Sequence, residues 1–200
     1  MAEIRSSNSY LRLARDWPGE AAFYALQQRA AGLFVWASTA CRFIGDGYDP
    51  RKRLEILLRG DIHTDVEAAL DALYVTALES VGMWNDEDFC LDFGIVIGAI
   101  LVAKNPLSTD ALDILLSLER PSRHTISRLR CVLSWSEPEP IRILHPSFAD
   151  FLSNHLRCGS KSWHINTSHH NRCLLMLCID CLDQTLRRYF GYDSIIRLHG

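Results

Sequence analysis

The stretch Leu129 to Leu144, LRCVLSWSEPEPIRIL, followed by His145-Pro146-Ser147, decides how this chain is read. Cys131-Val132-Leu133-Ser134-Trp135 and Ile141-Arg142-Ile143-Leu144 are short, apolar and β-prone. Between them lies Glu137-Pro138-Glu139-Pro140, which cannot continue either segment as a regular ladder. Two such segments around a proline-rich turn predict a hairpin. Pro146 fits the first turn of a helix, so His145-Pro146-Ser147 opens a short one that reaches about Asn154.

Outward from this point the pattern is helical. Asp16-Trp17-Pro18-Gly19-Glu20 reads as a helix start, with Asp16 as cap and Pro18 in the first turn, and the helix runs to Arg29. Leu33 opens another that reaches Ile44, where Gly45-Asp46-Gly47 breaks it. Arg51 to Leu58 forms a short helix. Val66, Leu70, Leu73, Ala77 and Val81 recur at steps of three and four within a helix from Thr64 to Val81. Asn85 to Ala103 is apolar on several sides, as a buried helix would be. Ser108 or Thr109 caps a helix to Leu116, and Ser122 starts one to about Arg130. A polar stretch from Arg157 to Asn166 precedes a last long helix from about Ser168 to Phe190. Helices followed by a hairpin are the order of a winged helix-turn-helix.

The bulk properties suit a globular protein. The chain has 200 residues, 21 basic and 24 acidic, for a net charge of −3, with 48% hydrophobic and 22% charged residues. This excludes a disordered chain, a collagen and a general polybasic coat for nucleic acid or membrane. Seven cysteines, mostly within apolar runs, predict buried free thiols in a reducing compartment. The first ten residues are polar, and the longest apolar run, Phe93 to Ala103, is shorter than the ~20 residues of a membrane span. The expectation is a cytoplasmic protein without a membrane partner.

Several chemistries can be weighed residue by residue. Gly159-Ser160-Lys161-Ser162 lacks the Gly-Lys adjacency and the upstream glycine of a phosphate loop and follows no strand, so no catalytic nucleotide site is predicted. His169, His170, Cys173, Cys178 and Cys181 are ligand types for zinc, but Cys173 and Cys178 lie about 140° apart on a helix and no metal is expected. Asp86, Glu87 and Asp88 suit a helix dipole better than acid–base catalysis. Arg120, Arg123, His124, Arg128 and Arg130 fall where a winged helix presents its recognition helix. Arg123, His124 and Arg128 are therefore candidate DNA contacts, against a solvated face backed by Ile126 and Leu129. The acidic chain and the two glutamates of the turn favour the solvated face. His145, at a helix N-terminus, reads either as an anion-responsive donor or as the anchor of a turn.

Two segments carry a resemblance. Arg29 to Ile44, RAAGLFVWASTACRFI, resembles the helical segment after the ATPase core of fungal NACHT proteins. Ile143 to Leu152, ILHPSFADFL, resembles the winged-helix signature of the same STAND-type signalling NTPases, relatives of NOD-like receptors and heterokaryon-incompatibility proteins. The likeness runs roughly from Asp16 to Leu186.

It implies a mainly α fold. Residues 1–15 would be a flexible N-terminus and 16–80 a helical domain. Residues 81–165 would be a winged-helix domain with one small β-hairpin, and 166–200 the first helix of a second helical domain. The phosphate-binding core of the family has no counterpart in the sequence. The implied function is a truncated, non-catalytic regulatory or interaction fragment, with a winged-helix DNA-binding protein as the alternative. Family practice puts His145 against the β-phosphate of ADP, and Gly32 with Phe34 near the adenine, the latter with phenylalanine where relatives have proline. These residues would sense ADP or ATP only with an ATPase core present, so the chain alone needs no cofactor. The implied partners are that core or another protein, and self-association, through apolar surface at Gly32 to Trp36 and beside His145.

Overall fold

A computed structural model describes Met1, Ile4 and residues 13–63, 65–159 and 161–190. Helices α1 (Glu20–Ala30), α2 (Phe34–Gly45), α3 (Pro50–Arg59) and α4 (Val66–Glu79) come first. Then follow α5 (Glu87–Val102), α6 (Thr109–Leu116) and the single turn α7 (Arg123–Ile126), which runs on into a 3-10 turn, Ser127–Leu129. Strands β1 (Leu133–Ser134) and β2 (Arg142–Ile143) precede α8 (Pro146–Ser153), the single turn α9 (His155–Cys158) and the long α10 (Thr167–Phe190). The fold is mainly helical, with one two-stranded antiparallel hairpin whose register sets Leu133 against Ile143 and Ser134 against Arg142.

Local chemistry explains most boundaries. Asp49, Asp65, Asp86 and Ser108 each accept a hydrogen bond from a backbone N–H of the helix they precede. Thr64, the expected first residue of the fourth helix, lies outside the described residues. Two expectations need correction. Asp16 and Pro18 do not start a helix: the Gly19 N–H donates to the Asp16 carbonyl at 2.8 Å, closing a turn, and α1 begins at Glu20 behind an uncapped Gly19 at φ 82°. The segment after Ser122 makes one α-helical turn and not two or three, because Ser122 supplies no cap and the backbone tightens to 3-10 geometry by Ser127.

A single core runs through the chain. Phe43, Ile44, Leu73, Tyr74 and Leu78 meet Phe93, Ile97, Leu112, Ile126, Leu129, Phe148 and Phe151, each at most 2% exposed. No break falls at residue 80. Trp84 donates from its indole N–H to the Leu78 carbonyl at 2.7 Å and packs edge-on against Phe93 and Trp163. The polar stretch before α10 contributes two of these core residues, Trp163 and Ile165. Helix α4 ties the hairpin side to the rest. Tyr74 packs on Phe148 and Phe151 of α8, with ring centroids 5.1 and 5.6 Å away. Asp71 accepts two hydrogen bonds from Arg157, which also pairs with Glu67 at 2.9 Å. Both Asp71 and Arg157 are mostly buried, where such a paired geometry keeps its strength better than at the surface.

Helix α10 lies along α5 and reaches α6. The approach is close at one point: a Cβ on Gly98 would overlap the His170 ring. Among the described residues no helix is long and apolar enough to cross a membrane.

Candidate functional site

Strand β2 ends one residue before Leu144, whose N–H is held by the Val132 carbonyl at 3.0 Å. The chain then turns into α8 with extended backbone at His145. His145 is the N-cap of α8 by its side chain. Its Nδ1 accepts from the Ser147 N–H at 3.2 Å and lies 2.7 Å from the Ser147 hydroxyl. That hydroxyl lies 2.6 Å from the Tyr74 hydroxyl. One ordering satisfies all three groups: Tyr74 donates to Ser147, and Ser147 donates through both N–H and O–H to His145. The neutral imidazole then carries its proton on Nε2. Nε2 has no partner among the described residues, and His145 is exposed. The inner end of the chain is fixed, since Tyr74 is buried and burial pushes its hydroxyl pKa up. The result is a donor held by the core and offered to solvent.

Gly32 and Phe34 sit elsewhere. Ala31 and Gly32 both have left-handed backbone, φ 45° and 79°, and turn the chain from α1 into α2. Phe34 is the first residue of α2 and is 86% exposed, while Trp36 is in the core and donates to the Ala69 carbonyl at 3.2 Å. No contact joins Phe34 to His145 among the described residues. Both attach to α4, Phe34 by way of Trp36 in its own helix and His145 by way of Ser147. The expected apolar surface at Gly32 to Trp36 is thus Phe34 with half-buried Val35.

Arg123 and His124 of α7 and Arg128 of the 3-10 turn are exposed, with Thr125, Ile126 and Leu129 buried beneath them. The other two arginines of this segment are engaged. Arg120 pairs with Asp88 and Asp92 at 3.1 and 2.7 Å, and Arg130 lies over the Trp135 ring at 4.9 Å.

One polar cleft was not foreseen from the sequence. Asp46, Arg53, Ser80, Arg128, Arg130 and Cys131 line about 110 Å³ between the α2–α3 turn and the 3-10 turn. Arg53 stacks on Phe43 and donates to Ser80, with no carboxylate in ion-pair range among the described residues, and burial pushes its pKa down. Burial also raises Asp46 against the opposing fields of Arg130, Arg42 and Arg53, and pushes the Cys131 thiol up to about 12. Gly47 makes room here, since a Cβ there would come within 2.5 Å of Arg53. Read along the chain, Gly45-Asp46-Gly47 signals only a helix break; Arg53 and Arg130 are 77 residues apart and nothing local joins them.

Two of the remaining candidates hold the fold. Asp86 caps α5, and Lys161 pairs with Glu79 at 3.7 Å and lies 5.3 Å from the Trp163 ring. Ser160 lies outside the described residues. Cys173 lies 3.4 Å from His169 Nε2, and no group of three or more His, Cys, Asp or Glu gathers at metal-binding range among the described residues. Compared with family models, with curated proteins and with solved structures, the chain matches none.

Proposed function

We propose that the chain is a non-catalytic regulatory module of a NACHT-type STAND NTPase, in which α6, α7, the hairpin and α8 act as a winged helix. In this reading His145 donates a hydrogen bond from Nε2 to a phosphate of ADP held by an ATPase core. The observation that carries it is the His145–Ser147–Tyr74 chain, which commits Nδ1 inward and leaves the Nε2 proton outward. The paired segments Arg29 to Ile44 and Ile143 to Leu152 supply the family resemblance.

The deciding experiment uses two substitutions in a full-length NACHT protein carrying this segment. His145→Ala removes both nitrogens. His145→Asn keeps an oxygen able to cap α8 and, being the shorter side chain, no longer places a donor at the position of Nε2. A sensor role requires that both speed ADP release, by about ten- to a hundredfold for one charge-assisted hydrogen bond. ADP release unchanged in His145→Asn overturns the reading. Steady ATP turnover by the purified chain would overturn its non-catalytic part.

A second reading, a DNA-binding winged helix, draws on Arg123, His124 and Arg128, which are exposed along α7 and the 3-10 turn after it and make no ion pair among the described residues. Its weakness is that α7 has four residues, a short element to lay in a groove. Duplex binding that falls steeply with salt and weakens in Arg123→Ala and Arg128→Ala would establish it; no binding at low salt ends it.

A further inference from the structure

Helix α10 has two apolar faces and only one of them is covered. His170, Leu174, Leu177 and Cys181 are partly buried and face the body of the protein. About 130° around the helix, Leu175, Ile179, Leu182, Leu186 and Tyr189 are 60, 49, 62, 49 and 78% exposed. Their steps are 4, 3, 4 and 3, the heptad spacing of a helix seam. Arg172, three residues before Leu175, continues the same row and is exposed without an ion pair among the described residues.

We infer that this seam pairs with the same seam of a second copy of the chain, antiparallel, about a two-fold axis level with the midpoint of residues 180 and 181. In that register the row closes on itself. Leu175 meets Leu186 of the other copy, Ile179 meets Leu182, and Arg172 lies over the face of Tyr189. The seam is thus self-complementary in shape and in chemistry, as an isologous dimer requires, and its end layers are cation–π pairs. The flanks agree: Met176 falls beside Asp183 and Cys178 beside Thr185, so no like charges meet. Asp183 is already neutralised by Arg187 of its own helix at 2.8 Å. The area is sufficient. With Met176, six exposed apolar side chains offer roughly 100 Å² each, and two copies bury about 1,200 Å², the lower end of a specific stable interface. This surface is separate from His145 and from Phe34, and the inference does not depend on the function proposed above.

The test is the mass of the full chain in solution by sedimentation equilibrium across a wide concentration range. A dimer is expected. Ile179→Asp and Leu182→Asp should each raise its dissociation constant by about a hundredfold or more, because a carboxylate would be buried without a partner. Both positions are exposed in the monomer, so circular dichroism and the melting of the monomer should hardly change. Gln184→Asp, on the far side of α10, should leave the dimer intact. Thr185→Cys should cross-link by oxidation to Cys178 of the other copy, as mapped by mass spectrometry, with loss of the cross-link in the added presence of Cys178→Ser. A monomeric wild type overturns the inference, whatever else covers the seam. So does a dimer that survives Ile179→Asp and Leu182→Asp, which would place the contact at another surface such as Phe34. A cross-link between two Cys178 side chains in place of the 178–185 pair overturns the antiparallel register.

Discussion

Helices α5 and α10 are the two longest, they touch, and both are rich in apolar residues, yet they live in opposite environments. Phe93 and Ile97 of α5 are fully buried. Among the described residues α10 has none buried to that degree; its leucines are about half exposed or more on one side and partly covered on the other. Apolar content therefore does not decide burial. What decides it is how many neighbours an element has. α5 is enclosed by α6, α7 and α10, whereas α10 rests mainly on α5 and, less extensively, α6.

The largest expected effect lies at the enclosed side of this contrast. Phe151→Ala empties a fully buried site against Tyr74 and should cost about 3–5 kcal/mol, measured by urea unfolding. Leu182→Ala in α10 should cost far less in the monomer, since that side chain is 62% exposed. A comparable loss in the two would erase the distinction.

Next comes the point where the two helices meet. Gly98→Leu puts a side chain where the His170 ring lies, and should cost about 1–3 kcal/mol by overpacking. Helix α10 should then be cut sooner by trypsin at Arg172, while the core fragment survives. Replacing His170 by Ala in the same chain should recover part of the loss, because the two positions are in contact. Proteolysis at Arg172 unchanged in Gly98→Leu would mean that α10 is not held there.

A smaller effect is expected at His145. Loss of the N-cap in His145→Ala should lower stability by about 1 kcal/mol, and His145→Asn should restore it, read as the shift in denaturation midpoint. Equal losses in the two would contradict the capping role of Nδ1.

The smallest is a dependence on pH. Burial pushes His170 below its ordinary value of 6.5, and the adjacent His169 adds to this. The folded state therefore prefers the neutral ring, and the unfolded chain binds the proton more readily. The stability this gives is fully present above 6.5 and is lost as pH falls through the lower folded value. Melting should drop as the pH falls below 6.5, and the drop should be smaller in His170→Gln. A pH profile identical in the two would remove His170 from the α5–α10 contact. Thiol labelling offers an independent check: Cys173 and Cys178 should react at once, and buried Cys131, its thiol pushed up to about 12, only on unfolding.

Much of this was legible along the chain because it is local. The Ser108 cap, the helix start at Asp86, the break at Gly45-Asp46-Gly47 and the hairpin around Glu137-Pro138 each depend on a few consecutive residues; Asp49 and Asp65, which also cap, went unread. His145 could be singled out for the same reason: a histidine before proline at a helix start is a local pattern. Its link to Tyr74 could not, since 71 residues separate them. Asp16 and Pro18 were misleading because a cap and a proline also suit a turn, and only the backbone path to Gly19 distinguishes the two.

The sequence by itself determined the helical class, the order of elements, the hairpin and the place of His145 at a helix start, since short-range hydrogen bonding and apolar period set them. Only the tertiary structure decided that the core is continuous past residue 80, that Arg53, Arg128 and Arg130 line one cleft, and which face of α10 is covered. Leu174 and Leu175 are the same residue type, one position apart. A step of about 100° around the helix turns one toward α5 and α6 and the other to solvent, and nothing in the chain itself says where those neighbours stand.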